Sequence, residues 1–180
     1  MTIRVPVQVQ LLHPTAVVGV PKYATAHSTA ADLSACLSLC SAAKPDEQGV
    51  LTVRIQPGSM AMIPSGLAVR PAPGYATKVA ARSGLALKKQ ITLQNGVALI
   101  DHDYSNGIGI LLRNEGVEPF DVKDGDRIAQ LEVHEVIQGD FILVDELNAP
   151  EQVEGFAERS GGFGSSGING ASAYSVEKAN

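Results

Sequence analysis

Short runs of valine, isoleucine and leucine recur along this chain, and a glycine, a proline or another turn-forming residue interrupts nearly every one of them. Punctuation this frequent leaves almost no room for helical periodicity and predicts an all-β domain. Strands are predicted over Arg4–Leu12, Ala30–Leu39, Val50–Ile55, Ser59–Pro64, Leu67–Pro71, Tyr75–Ala80, both flanks of Tyr104, Phe120–Val122 and Arg127–Val136. One short helix is predicted after Arg82, where SGLALKKQ starts with Ser83 as N-cap and stops before the β-branched Ile91. The polar segment Ser41–Gly49 reads as an exposed loop.

A chain of 18.8 kDa is long enough for one domain with a sizeable core. That domain is predicted over residues 1–153, with a flexible, glycine-rich C-terminal arm over 154–180. A net charge of -5 argues against a nucleic-acid partner, because such proteins neutralise phosphates with clustered Lys and Arg. A small anionic ligand needs only a few cations and backbone N–H groups. The N-terminal MTIRVPVQVQLL alternates apolar with polar residues, and no run is long and apolar enough to span a membrane. The expectation is a soluble, cytoplasmic protein without a membrane partner. Cys36 and Cys40 imply neither a disulfide framework nor a four-ligand zinc site, and read as buried free thiols.

Five polar islands break the strand pattern. In the central one, Asn95–Asn114, apolar residues up to Ile100 lead into an acidic turn (Asp101 to Gly107), and alternation resumes at Ile108, Ile110 and Leu112. This is the pattern of a β-hairpin, with Asp101 at the rim directly after a buried run and therefore a catalytic candidate. Asp101, Asp103 and Ser105 imitate the start of a calcium loop, but Asn106 stands where its glycine belongs and Leu112 where its glutamate belongs. His102 reads as a solvated turn residue. Arg82-Ser83-Gly84 is either an anion site or an ordinary helix cap beside a surface arginine. Asp32, inside the apolar STAADLSA, is hydrogen-bonded, solvated, bound to a cation or part of a turn. Gly125-Asp126-Arg127 reads as a plain turn, and Gln130, on the face of Ile128, as an outward residue or a site amide. In the arm, RSGGFGSSG (Arg159–Gly167) offers a cation, hydroxyls, unhindered N–H groups and a Phe163 with no core to join. It is either a linker or a segment that stacks on a planar ligand. A Walker-type loop is excluded, since Ile168 stands where lysine is needed.

In order, STAADLSA, ARSGLALK, NGVALIDHDY with IGILLRN, GDRIAQLEV and RSGGFGSSG resemble the five motifs of the trimeric dUTP diphosphatases. The resemblance implies a jelly-roll-like β fold, a homotrimer with shared sites, and Mg²⁺-dependent hydrolysis of dUTP to dUMP and diphosphate. It implies Asp101 as general base, and backbone groups of Leu99, Ile100, Asp101 and Gly109, with Asn95 nearby, as the uracil pocket. It also implies Tyr104 against the deoxyribose and Arg82, Ser83, Gly84 and Gln130 on the phosphates, with Asp32 holding Mg²⁺ through water. From the arm, Arg159 would meet the terminal phosphate, Phe163 would cover the uracil, and Gly164 and Ser165 would complete the closure. This sequence departs from the pattern at Ala81, at Ala98, at Ser105-Asn106-Gly107 after Tyr104, and in the inserted Ser41–Gly49. An asparagine is the best non-glycine residue if the turn needs positive φ at Asn106. Two other readings share the fold, a dCTP deaminase-type enzyme and a nucleotide sensor. The RSG triplet and Tyr104 favour the hydrolase over the deaminase, and the intact set of Asp32, Asp101, Gln130 and the arm argues against a sensor that has lost catalysis.

Overall fold

The computed structural model describes residues 4–146. The chain divides into two units, Met1–Gln138 and Gly139–Asn180. The first contains every strand found among the described residues: β1 (Val7–Leu11), β2 (Ala31–Ser34), β3 (Lys44–Pro45), β4 (Leu51–Ile55), β5 (Met60–Pro64), β6 (Leu67–Pro71), β7 (Tyr75–Ala81), β8 (Ile91–Leu93), β9 (Ala98–Ile100), β10 (Gly109–Asn114), β11 (Phe120–Lys123) and β12 (Arg127–Glu135). One α-helix, α1 (Ser83–Lys89), interrupts them. Among the described residues of the second unit, Phe141, Ile142 and Leu143 are exposed. No helix among the described residues is long and apolar enough to cross a membrane.

The strands form four antiparallel groups, β1-β6, β5-β10-β8, β11-β4-β3 and β2-β12-β7-β9. They share one core because alternate residues of each point to it: Leu33, Val53, Ile55, Ile63, Leu67, Val69, Val79, Ile91, Ile110, Leu112, Val122 and Leu131 are all buried in a single cluster. This is the all-β architecture predicted. Two tight spots fix its corners. At the β5–β6 turn Gly66 has φ +70°, and an added Cβ would stand 2.7 Å from both Ala16 Cβ and Cys36 Sγ. At the end of β10 the fully buried Asn114 donates to Ile55 O (3.0 Å) and Glu118 O (2.8 Å) and accepts from Gly116 N (2.9 Å), so its amide is satisfied without water.

Several local expectations change. The N-cap of α1 is Arg82, in extended conformation and without a side-chain cap bond; Ser83 is the first helical residue. Only Ala31–Ser34 of the predicted Ala30–Leu39 strand is extended, and a 3₁₀ turn follows at Leu37–Leu39. The Ser41–Gly49 loop contains β3, paired to β4 through Lys44↔Thr52 and Pro45↔Leu51. Cys36 and Cys40 are free thiols, the first buried and the second half-buried.

The largest change concerns the central island. Its two flanks are strands, but they do not pair with each other: β9 pairs with β7, whereas β10 pairs with β5 and β8. The segment from Asp101 to Ile108 is therefore a link between two sheets, not the turn of a hairpin. Turn residues and alternation specify that the chain bends; they do not specify which strand each arm meets.

Candidate active site

On β2 and β12 the alternation sends Leu33, Ala129 and Leu131 into the core, so Asp32 and Gln130 face outward as direct cross-strand partners. With Ala24, Ser28, Thr29 and Ala30 they line a hollow of about 240 Å³. On the other side of β12, Gln130 faces Ala80 of β7, and one residue beyond that strand is Arg82. Its Nε donates to Asp32 Oδ1 at 3.0 Å, and its Nη1 donates to the backbone carbonyl of Arg127 at 2.8 Å. Arg127 Nη1 donates to the second Asp32 oxygen at 3.1 Å. Of the four alternatives for Asp32, hydrogen bonding is the one observed: its carboxylate, with the side chain only 18% exposed, lies between two guanidinium groups.

Arg127 was no site candidate from sequence. The signal available was an arginine directly before a strand that carries a site amide, and a turn arginine looks the same. Its placement depends on a β-bulge: from Arg127 to Ala129 the chain advances two residues while its partner strand moves one, from Ser34 to Leu33. The bulge also places Ile128 in the core beside Ala129, so Gln130 does not share the face of Ile128 as the alternation predicts.

Ser83 and Gly84 are exposed at the start of α1, where the first N–H groups of any helix lack partners within it. Lys88 and Lys89 at the other end complement the helix dipole. Arg82, Ser83, Gly84, Asp32 and Gln130 thus form one contiguous group.

Asp101 belongs to a second group. Val97 and Leu99 are exposed, and Ile100 is the residue that anchors the segment in the core, so the run before Asp101 is only partly buried. Tyr104 N donates to Asp101 O at 3.1 Å, which closes a turn, and the Tyr104 hydroxyl donates to Gly107 O at 3.3 Å with the ring still 41% exposed. Asn106 does not adopt positive φ. The displaced glycine serves packing instead, since a Cβ on Gly107 would stand 2.6 Å from Leu12 Cδ1. His102 is half-buried, with a buried Nδ1 that has no hydrogen-bond partner, not the solvated turn residue expected. Asn95 lies in the exposed turn before β9, and Gly109 opens β10 opposite Pro64, where an added Cβ would stand 3.1 Å from Met62 Sδ.

The two groups are far apart. Ile100 pairs with Thr77 and Gln130 with Ala80, so strand rise and spacing put Asp101 about 16 Å from Gln130 and about 20 Å from Asp32, Cα to Cα. No side chain of either group spans that distance. Arg159, Phe163, Gly164 and Ser165 lie outside the described residues.

Comparison with known proteins extends over most of the chain. The family model described as dUTPase matches residues 21–167. The deoxyuridine 5'-triphosphate nucleotidohydrolase of Desulfitobacterium hafniense (strain DSM 10664 / DCB-2) is 41% identical over 150 residues, covering 83% of this chain and 87% of the relative. Among solved structures, a variant of the Staphylococcus bacteriophage 80alpha dUTPase with dUpNHpp has a TM-score of 0.70 at 22% identity, covering 91% of this chain and 99% of that one. A dUTPase from phage phi11 of S. aureus, described with a structural Mg(II) ion, has a TM-score of 0.66 at 19% identity over 80% of this chain and 99% of that one. At these identities the structural likeness concerns the fold.

Proposed function

The chain belongs to the dUTPase family, and from that premise we propose that it hydrolyses dUTP to dUMP and diphosphate with Mg²⁺, at sites assembled between copies of the chain. The observation that carries the shared site is the register across β2, β12, β7 and β9, which by strand rise and spacing separates Asp101 from the Gln130–Asp32 pair by about 16–20 Å. A carboxylate at that distance cannot activate a water at a phosphorus held by Arg82, so one copy supplies the Asp101 group and a second supplies the Arg82 group. A closed ring of such head-to-tail contacts is a cyclic oligomer, and a homotrimer fits the family resemblance. The exposed Ile137, Phe141, Ile142 and Leu143 of the single chain support association as well.

In this reading Asp101 takes the proton of a water positioned for in-line attack on the α-phosphorus. Gln130 orients that water. The guanidinium of Arg82 and the N–H groups of Ser83 and Gly84 bind the phosphate oxygens and stabilise the charge that builds on them. Backbone groups of Leu99, Ile100, Asp101 and Gly109 pair with the uracil edge, with Asn95 beside them, and the half-exposed Tyr104 ring packs on deoxyribose where a 2′-hydroxyl would clash. Arg159, Phe163, Gly164 and Ser165 close the site and exclude water.

Among the described residues no three His, Cys, Asp or Glu side chains stand together as a metal cage. Mg²⁺ keeps several waters and is held largely by substrate phosphates, so it needs no such cage. Asp32, whose oxygens already accept two N–H bonds, would accept hydrogen bonds from metal-bound waters in the same way. When bound, Mg²⁺ offsets phosphate charge during displacement.

Mixing two inactive variants tests the shared site. Asp101→Asn and Arg82→Gln chains, unfolded and refolded together, should recover about a quarter of wild-type activity on dUTP, as random assortment in a ring predicts. No recovery above either variant alone, with mixed oligomers confirmed by mass, would place the whole site in one chain.

A further inference from the structure

We infer that Arg127 is a positioning residue that keeps the guanidinium of Arg82 available to phosphate by occupying the second oxygen of Asp32. This rests on the reading that Arg82 meets the substrate phosphates. An arginine and an aspartate left to themselves favour the bidentate fork, in which two N–H groups of one guanidinium meet both carboxylate oxygens. Asp32 and Arg82 do not form it. Arg82 gives Asp32 only its Nε, on Oδ1, while Oδ2 is taken by Arg127 Nη1.

The β-bulge makes this arrangement possible. By adding one residue to β12 it points the Arg127 side chain at Asp32 and its carbonyl at Arg82 Nη1, so a single residue holds both members of the pair. A guanidinium has five N–H groups; Arg82 uses one on Nε and one on Nη1, which leaves three for phosphate oxygens among the described contacts. Without the Arg127 side chain, Asp32 is free to turn and capture Nη2, and the fork that should face phosphate is spent within the protein. The Arg127 side chain is 63% exposed, against 26% for Arg82, so its removal empties little packing.

Kinetics with dUTP and a binding measurement without turnover test this together. Arg127→Ala should raise KM about ten-fold with kcat within about two-fold of wild type, because binding of phosphate is weakened and the water-activating carboxylate is untouched. Arg127→Lys should restore most of the loss, since an ammonium also occupies Oδ2. In an Arg82→Gln background, where binding replaces turnover as the readout, Arg127→Ala should change the dissociation constant of a non-hydrolysable dUTP analogue by less than about two-fold, the mark of a residue acting through its neighbour. In protein carrying ¹⁵N-arginine, the Arg82 Nε–H resonance should shift on titration with inorganic diphosphate, and Arg127→Ala should need about ten-fold more diphosphate for the same shift. Unchanged KM in Arg127→Ala, or additive effects of the two substitutions, would overturn the proposal, the latter by showing that Arg127 touches phosphate itself. A wild-type protein that fails to hydrolyse dUTP would defeat the functional reading instead, and the diphosphate titration would still decide the role of Arg127. Melting temperatures near wild type certify that each variant is folded.

Discussion

Asp101 stands one residue beyond the buried Ile100 and is exposed. Its position is held through the backbone, by the Tyr104 N–H on its carbonyl and by Ile100 in the core behind it. The carboxylate can therefore be altered without disturbing its support. Asp101→Asn keeps the shape and removes the basicity, so turnover of dUTP should fall by roughly 10²-fold or more while the affinity for a non-hydrolysable analogue changes far less. Near-normal turnover in this variant would remove Asp101 from the role of base. Asp32 is the opposite case, since both of its oxygens are occupied and any replacement frees two arginines at once.

Among the elements, the β3–β4–β11 group carries a chain of exposed ion pairs. Arg54 forks onto Asp121 with two bonds of 2.7 Å, and Lys123 Nζ donates to Asp46 at 2.9 Å, which ties the inserted segment to β11. The Lys123 ammonium, with the Val50 N–H, holds the Asp46 carboxyl below its ordinary value of 3.8, and the Arg54 guanidinium does the same for Asp121. A depressed carboxyl contributes stability that is complete above its unfolded value and disappears as pH falls through the folded one. The Tm difference between wild type and an Asp46→Asn/Asp121→Asn variant should then be constant above about pH 5 and close below it. A difference that ignores pH would show that the lost stability is not electrostatic. The predicted Leu67–Pro71 strand matches β6 to the residue and the Ser83 helix is found within one residue, because alternation and turn chemistry are local. Partner choice is not local. The contacts of Asp32 come from residues 50 and 95 positions away, and the arms of the Asp101 segment join different sheets, so neither could be read from spacing. That Asp32, Arg82 and Gln130 stand side by side follows from the register of β2, β12 and β7, not from their spacing in the sequence; the bulge that brings in Arg127 has no signature in composition or period.

For the whole molecule, light scattering should give a mass near three times 18.8 kDa. Removing residues from Glu158 onward should leave that mass and the melting temperature nearly unchanged, yet lower kcat/KM by about an order of magnitude or more, through loss of Phe163 stacking and Arg159 pairing with phosphate. Unchanged kinetics would make the glycine-rich stretch a linker after all. The route of the Asp101 segment between sheets also has a consequence for the order in which the chain matures. Strands β9 and β10 take their hydrogen bonds from partners in separate sheets, so the Asp101 carboxylate has no fixed address until both sheets have formed and closed on the common core. A chain with only one of these sheets in place holds the Asp101 segment at one end, through β9 or through β10, never at both. Enzymatic activity thus appears late in folding and disappears early in unfolding, making dUTP turnover a more sensitive reporter of sheet docking than any measure of strand content.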